Sequence, residues 1–141
     1  VLKVQDIMTA NPLTLTFGHT LKNAHDLTHA KGIRYLPIME NDELVGIVTH
    51  REMIASIIRI MQEHGADKLV EQEMKTPIMS LAVTDFKRVY LDQSLKEISC
   101  FFIEHKYGCL PVMDANEKLV GILTSSDFVK LSIKLLEISD S

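Results

Sequence analysis

The chain has 141 residues, of which 46% are hydrophobic and 24% charged, with a formal net charge of −4. This balance permits a packed core and argues against an intrinsically disordered protein. The fifteen Lys and Arg form no basic stripe, no apolar run approaches the roughly 20 residues of a membrane span, and the start lacks a signal-peptide pattern; nucleic-acid partners, membrane spans and secretion are disfavoured, and a cytoplasmic protein is expected.

The first predicted strand is Leu13 to Thr16, after Pro12. A helix follows between Thr20 and Gly32, with Leu21, Ala24 and Leu27 on one face and Gly32 suited to the left-handed position beyond its end. Tyr35-Leu36-Pro37-Ile38-Met39, a polar turn and Leu44 to Thr49 read as a hairpin with a loop of about 4–5 residues. Met53, Ile54, Ile57, Ile58 and Met61 then recur at helical spacing before Gly65.

The second half repeats this order. Its strand is about Lys87 to Tyr90, its helix starts after Ser94 with Glu97 at capping-box spacing, and Cys109 to Met113 with Leu119 to Thr124 forms a second hairpin. Phe128, Leu131, Ile133, Leu135 and Leu136 mark a closing helix. Val4 and Met8 find partners in Val70 and Met74, which leaves repeat two longer by a loop or irregular strand over roughly Pro77 to Phe86. The expectation is an α+β protein of two repeats, 1–66 and 67–141, each a small sheet flanked by two helices. A repeat this short buries its apolar faces poorly alone, so the two are expected to pack sheet to sheet about a pseudo-twofold, with a pocket in the cleft.

Thr49 and Thr124 stand where a strand stops and a helix starts, a place whose unpaired N–H groups favour a phosphate or sugar hydroxyl. Plain capping competes with that reading. Thr49-His50-Arg51-Glu52 fits a reciprocal capping box, whereas in Thr124-Ser125-Ser126-Asp127 the shorter acid is expected to reach the cap poorly and to suit a ribose diol. His25 and His29 have the spacing of a metal pair but lack a third ligand at convincing spacing, so no metal is expected. Cys100 and Cys109 are expected to be reduced, and Met53, Met61, Met74, Met79 and Met113 to fill the core. No nucleophile with its base, paired acids or metal set is assembled, so an enzyme is not expected.

Asp6-Ile7-Met8-Thr9, the two apolar-Pro-apolar strands, and the endings Gly-Ile-Val-Thr-His-Arg-Glu and Gly-Ile-Leu-Thr-Ser-Ser-Asp resemble the cystathionine-β-synthase (CBS) domain, present twice from about Val4 to Leu131. The resemblance implies a Bateman module that binds AMP, ADP, ATP or S-adenosylmethionine between its repeats, dimerises, and regulates an attached domain or a separate effector protein. Val1 leaves such an attached domain open. In that family the acid at Asp127 binds ribose, with Thr124, Ser125 and Ser126 beside it. The base would meet Tyr107, Gly108, Cys109, Leu110 and Pro111 and the backbone of Lys87, Arg88 and Val89, with Lys87, Arg88 and Arg51 available to phosphates. A weaker second site would use Thr14, Leu15, Arg34, Tyr35, Pro37, Thr49 and Glu52, where Glu52 departs from the family's Asp. Two other readings stay open: a ligand-free CBS dimerisation module, and a metal or redox function through His25, His29 or Cys109.

Overall fold

Thr20 begins the first long helix because its side chain and that of Asn23 satisfy each other's backbone N–H groups, and Gly32 ends it at φ 64°. The computed structural model describes residues 1–105 and 108–140. Its elements in chain order are α1 (Val4–Ile7), β1 (Thr9–Ala10), β2 (Leu15–Thr16), α2 (Leu21–Lys31), β3 (Tyr35–Glu40), β4 (Glu43–Thr49), α3 (His50–His64), α4 (Leu69–Lys75), β5 (Val89–Tyr90), α5 (Leu95–His105), β6 (Cys109–Met113), β7 (Leu119–Thr124) and α6 (Ser125–Asp140). Single 3₁₀ turns cover Ala66–Lys68 and Ile78–Ser80.

Leu13–Phe86 forms one compact unit, and Val1–Pro12 together with Lys87–Ser141 forms the other. These bodies do not follow the division of the chain into repeats 1–66 and 67–141, because each repeat's opening segment joins the hairpin of the other repeat. Val83 exchanges both backbone hydrogen bonds with Ile47 of β4, at 2.8 and 2.9 Å, and β1 pairs Thr9 with Ile122 of β7.

In the Leu13–Phe86 unit the sheet order is β2-β3-β4, parallel then antiparallel, over a core that includes Leu21, Leu36, Ile38, Met53 and Ile78. In the other it is β1-β7-β6-β5, over Val4, Val89, Leu110, Val112 and Leu123. Leu36, Pro37 and Ile38 are buried in succession, so both faces of β3 are covered there.

Three expectations change. First, the backbone matches Val4 to Ile78 rather than Val70: Val4 N–H donates to Gln93 O and Leu95 N–H to Leu2 O, just as Ile78 N–H donates to His19 O and Leu21 N–H to Thr76 O. With that match no residues are inserted between the opening segment and the strand of repeat two, and the extra length is α4, a linker helix whose apolar spacing imitates the opening motif. Second, the first hairpin turns on only Asn41 and Asp42, both with positive φ, the I′ geometry that fits strand twist; the five residues Asp114 to Lys118 serve the second, where the Asp114 carboxylate accepts from the N–H groups of Asn116 and Lys118. Third, Met53 and Met113 are buried as expected, but Met61 and Met74 lie exposed on helix faces turned from the core.

Candidate functional site

β7 delivers Thr124 to the start of α6, and Asp127 follows one turn into that helix. Asp127 is only 4% exposed. Its Oδ2 accepts from the Thr124 N–H at 2.8 Å and from the Thr124 hydroxyl at 3.3 Å, while Oδ1 accepts from the Thr9 hydroxyl at 2.8 Å. The expectation that this acid reaches the cap poorly is therefore wrong: one methylene fewer than Glu still brings the carboxylate over the N–H three residues back. In repeat one only half of the expected capping box forms. The Thr49 hydroxyl accepts from the Glu52 backbone N–H at 3.1 Å, and the Glu52 residue itself is exposed.

The antiparallel ladder sets Cys109 beside Thr124, so the start of β6 adjoins the α6 cap. Burial, and secondarily the negative charge of Asp127, push the Cys109 thiol up to about 12, so it stays protonated and poorly nucleophilic at neutral pH. Gly108 precedes it in an exposed bend, and Pro111 is buried in β6. Tyr107 lies outside the described residues. Val89 is buried in β5 and pairs with Val112. Lys87 holds its ammonium 4.7 Å from the centre of the Phe101 ring, a cation–π contact that positions it, and Arg88 is exposed beside it. Ser125 and Ser126 are exposed on the first turn of α6.

Arg51 stands exposed on α3, in the Leu13–Phe86 unit. That unit also holds all seven residues of the expected second site. Leu15 and Pro37 are buried there, Tyr35 and Thr49 half-buried, and Thr14, Arg34 and Glu52 exposed. Arg34 lines a groove between α2 and α3 together with His25, His29 and His50.

Thr9 is the site residue that sequence reading missed. It belongs to the Asp6-Ile7-Met8-Thr9 motif, but its hydrogen bond depends on β1 crossing to β7. Gly121 makes that crossing feasible, since a Cβ there would stand 2.7 Å from the Met8 sulfur and 2.9 Å from Thr9 O. The matched positions in the Leu13–Phe86 unit are Val83 and Glu52, so that unit lacks the hydroxyl–carboxylate pair. Glu73, 1% exposed and 2.6 Å from His25 Nδ1, was likewise unforeseen.

Among the described residues no three His, Cys, Asp or Glu side chains are grouped to hold a metal ion, and no helix is long and apolar enough to cross a membrane.

Comparison with known proteins bears on this geometry. A CBS domain-containing protein of Dictyostelium discoideum is 30% identical, with 95% of this chain and 93% of the relative covered. Homoserine O-acetyltransferase of Methanococcus vannielii is 27% identical over 88% of this chain, which spans only 23% of that enzyme. Among solved structures, AcuB from Vibrio cholerae superposes with a TM-score of 0.83 at 40% identity, covering 99% and 98% of the two chains. CBSX2 in complex with AMP gives a TM-score of 0.78 at 25% identity, covering 96% and 98%. The family model of the CBS domain matches residues 4–59 and again 74–134, and the chain accordingly belongs to the CBS domain family as a tandem pair.

Proposed function

We propose that this CBS pair is a regulatory module that binds an adenosine-type nucleotide, AMP foremost, beside Asp127, and passes the change to an effector protein or attached domain. The observation that carries the reading is the buried Asp127 carboxylate at the start of α6, with the Thr124 cap and the Cys109 end of β6 beside it. Its Oδ1 accepts one hydrogen bond and has capacity for a second, so a ribose hydroxyl would share the atom with Thr9 or displace it. The N-terminus of α6 favours negative charge at Ser125 and Ser126. Its likeness to a CBS protein that binds AMP supports the choice of ligand class. Gly108, Pro111, Lys87, Arg88 and Val89 would complete the binding surface on this unit.

The module works as a homodimer in this reading, because Ile133, Leu136 and Ile138 of α6 leave apolar surface exposed that a second copy would cover. Its role is sensing rather than catalysis. Thermal unfolding with AMP, ADP, ATP, GTP and S-adenosylmethionine tests it: a ligand at a hundredfold excess over its Kd adds about 2.7 kcal/mol and several degrees. Stability unchanged by every one of them would instead favour the dimerisation module that binds no ligand.

A further inference from the structure

Both units carry a groove between their two long helices, and they line it differently. His25, Thr28, His29, His50 and Met53 of the Leu13–Phe86 unit match Ser99, Phe102, Ile103, Ser125 and Phe128 of the other. In the latter, Phe102 and Phe128 meet edge to face with centroids 5.3 Å apart, around an apolar hollow of about 250 Å³. In the former the groove measures about 420 Å³, and its lining combines three histidines and Arg34 with the apolar Ile33, Ile54 and Ile57.

The His25 ring is held from behind. The buried Glu73 carboxylate lies 2.6 Å from its Nδ1, which favours the tautomer protonated there and leaves Nε2 for a second partner. A carboxylate is retained in a protein interior when paired, and this one spends its burial on orienting an imidazole at the groove. Among the described residues no acidic side chain forms an ion pair with Arg34, His29 or His50.

We infer that this groove binds a small monocarboxylate, its anionic head on Arg34 and the imidazoles and its short apolar stem against Ile33, Ile54 and Ile57. A guanidinium offers a carboxylate two parallel N–H donors, and imidazole N–H groups add further ones. One permanent positive charge matches a monoanion better than the dianion of a phosphate ester. The same charge repels a divalent metal, in keeping with the lack of a three-ligand group among the described residues. The Leu13–Phe86 unit thus carries polar groups where the other carries a pair of aromatic rings.

Imidazole-detected ¹⁵N NMR of the full chain, titrated with butyrate, butyl phosphate and butanol, tests this directly. Butyrate should shift the His25, His29 and His50 resonances saturably. Arg34→Gln, at an exposed position, should keep the Tm and weaken butyrate by about tenfold or more, the loss of a charge-assisted hydrogen bond. His50→Ser, which installs the residue of the matched groove, should weaken it too. No saturable shift, equal shifts with butanol, tighter binding of butyl phosphate, or unchanged affinity in Arg34→Gln would each overturn the assignment. Asp127 lies in the other unit, so the outcome is independent of nucleotide binding there.

Discussion

The Thr9 hydroxyl donates to Asp127 Oδ1 at 2.8 Å, joining residues 118 apart in sequence. It ties the opening segment of the chain to the helix cap at which a nucleotide is proposed to bind. Removing either partner should therefore affect stability as well as binding. Asp127→Ala leaves the Thr124 N–H buried without its acceptor and should cost about 1–3 kcal/mol, with Thr9→Val costing about 1 kcal/mol. A double-mutant cycle by urea unfolding should show the two losses to be non-additive. Fully additive losses would mean that the two side chains do not interact in solution.

The two caps predict different responses to neighbouring substitutions. Thr49 Oγ1 accepts from the backbone of Glu52, so Thr49→Ala should cost about 1 kcal/mol. Glu52→Ala keeps that backbone donor and should change stability by less than about 0.5 kcal/mol. Chemical denaturation of both variants separates a cap held by the Thr hydroxyl from one that needs the Glu side chain.

Gly121 and Gly46 occupy matched strand positions with unequal room. An added Cβ at Gly121 meets Thr9 O at 2.9 Å, which is backbone that must move, whereas at Gly46 the nearest atom is Ala82 Cβ at 3.2 Å. Gly121→Ala should destabilise by about 1–3 kcal/mol through overpacking, and Gly46→Ala by less. Faster amide exchange at Thr9 and Asn11 in Gly121→Ala would locate the damage at β1.

Burial raises the Cys109 thiol to about 12. The unfolded chain loses this proton at lower pH than the folded one, so Cys109 contributes stability that is present below the unfolded thiol's range and declines as pH rises from about 9 toward 12. Cys109→Ala should flatten that alkaline decline in a pH series of unfolding curves. Near neutral pH iodoacetamide should modify the exposed Cys100 well before Cys109, as mass spectrometry of timed samples would show.

Local chemistry was legible in part: the ends of α2 and the duplicated hairpins were, whereas the Asp127 cap and the two-residue Asn41-Asp42 turn were not. Thr20 and Gly32 bracket α2, and the paired Pro37 and Pro111 strands mark the duplicated hairpins, because caps and turns involve residues close in the chain. What depended on distant pairing was not legible. Val70 and Met74 imitate Val4 and Met8 at helical spacing, and only the hydrogen bonds of Ile78 with His19 and Val83 with Ile47 reveal the true match. Thr9 beside Asp127 and Glu73 behind His25 escaped for the same reason. Glu73 in particular sits in a charged run, Glu71-Gln72-Glu73-Met74-Lys75, which reads as solvated helix surface until α4 is packed against α2.

The account rests most heavily on Asp127 as the nucleotide's anchor. Calorimetric titration of AMP into the wild-type chain and into Asp127→Asn, a variant that keeps the size of the side chain, addresses it most directly. Saturable binding by the wild type and a loss of about tenfold or more in a still-folded Asp127→Asn is the predicted result. Equal AMP affinity in the two proteins would contradict it.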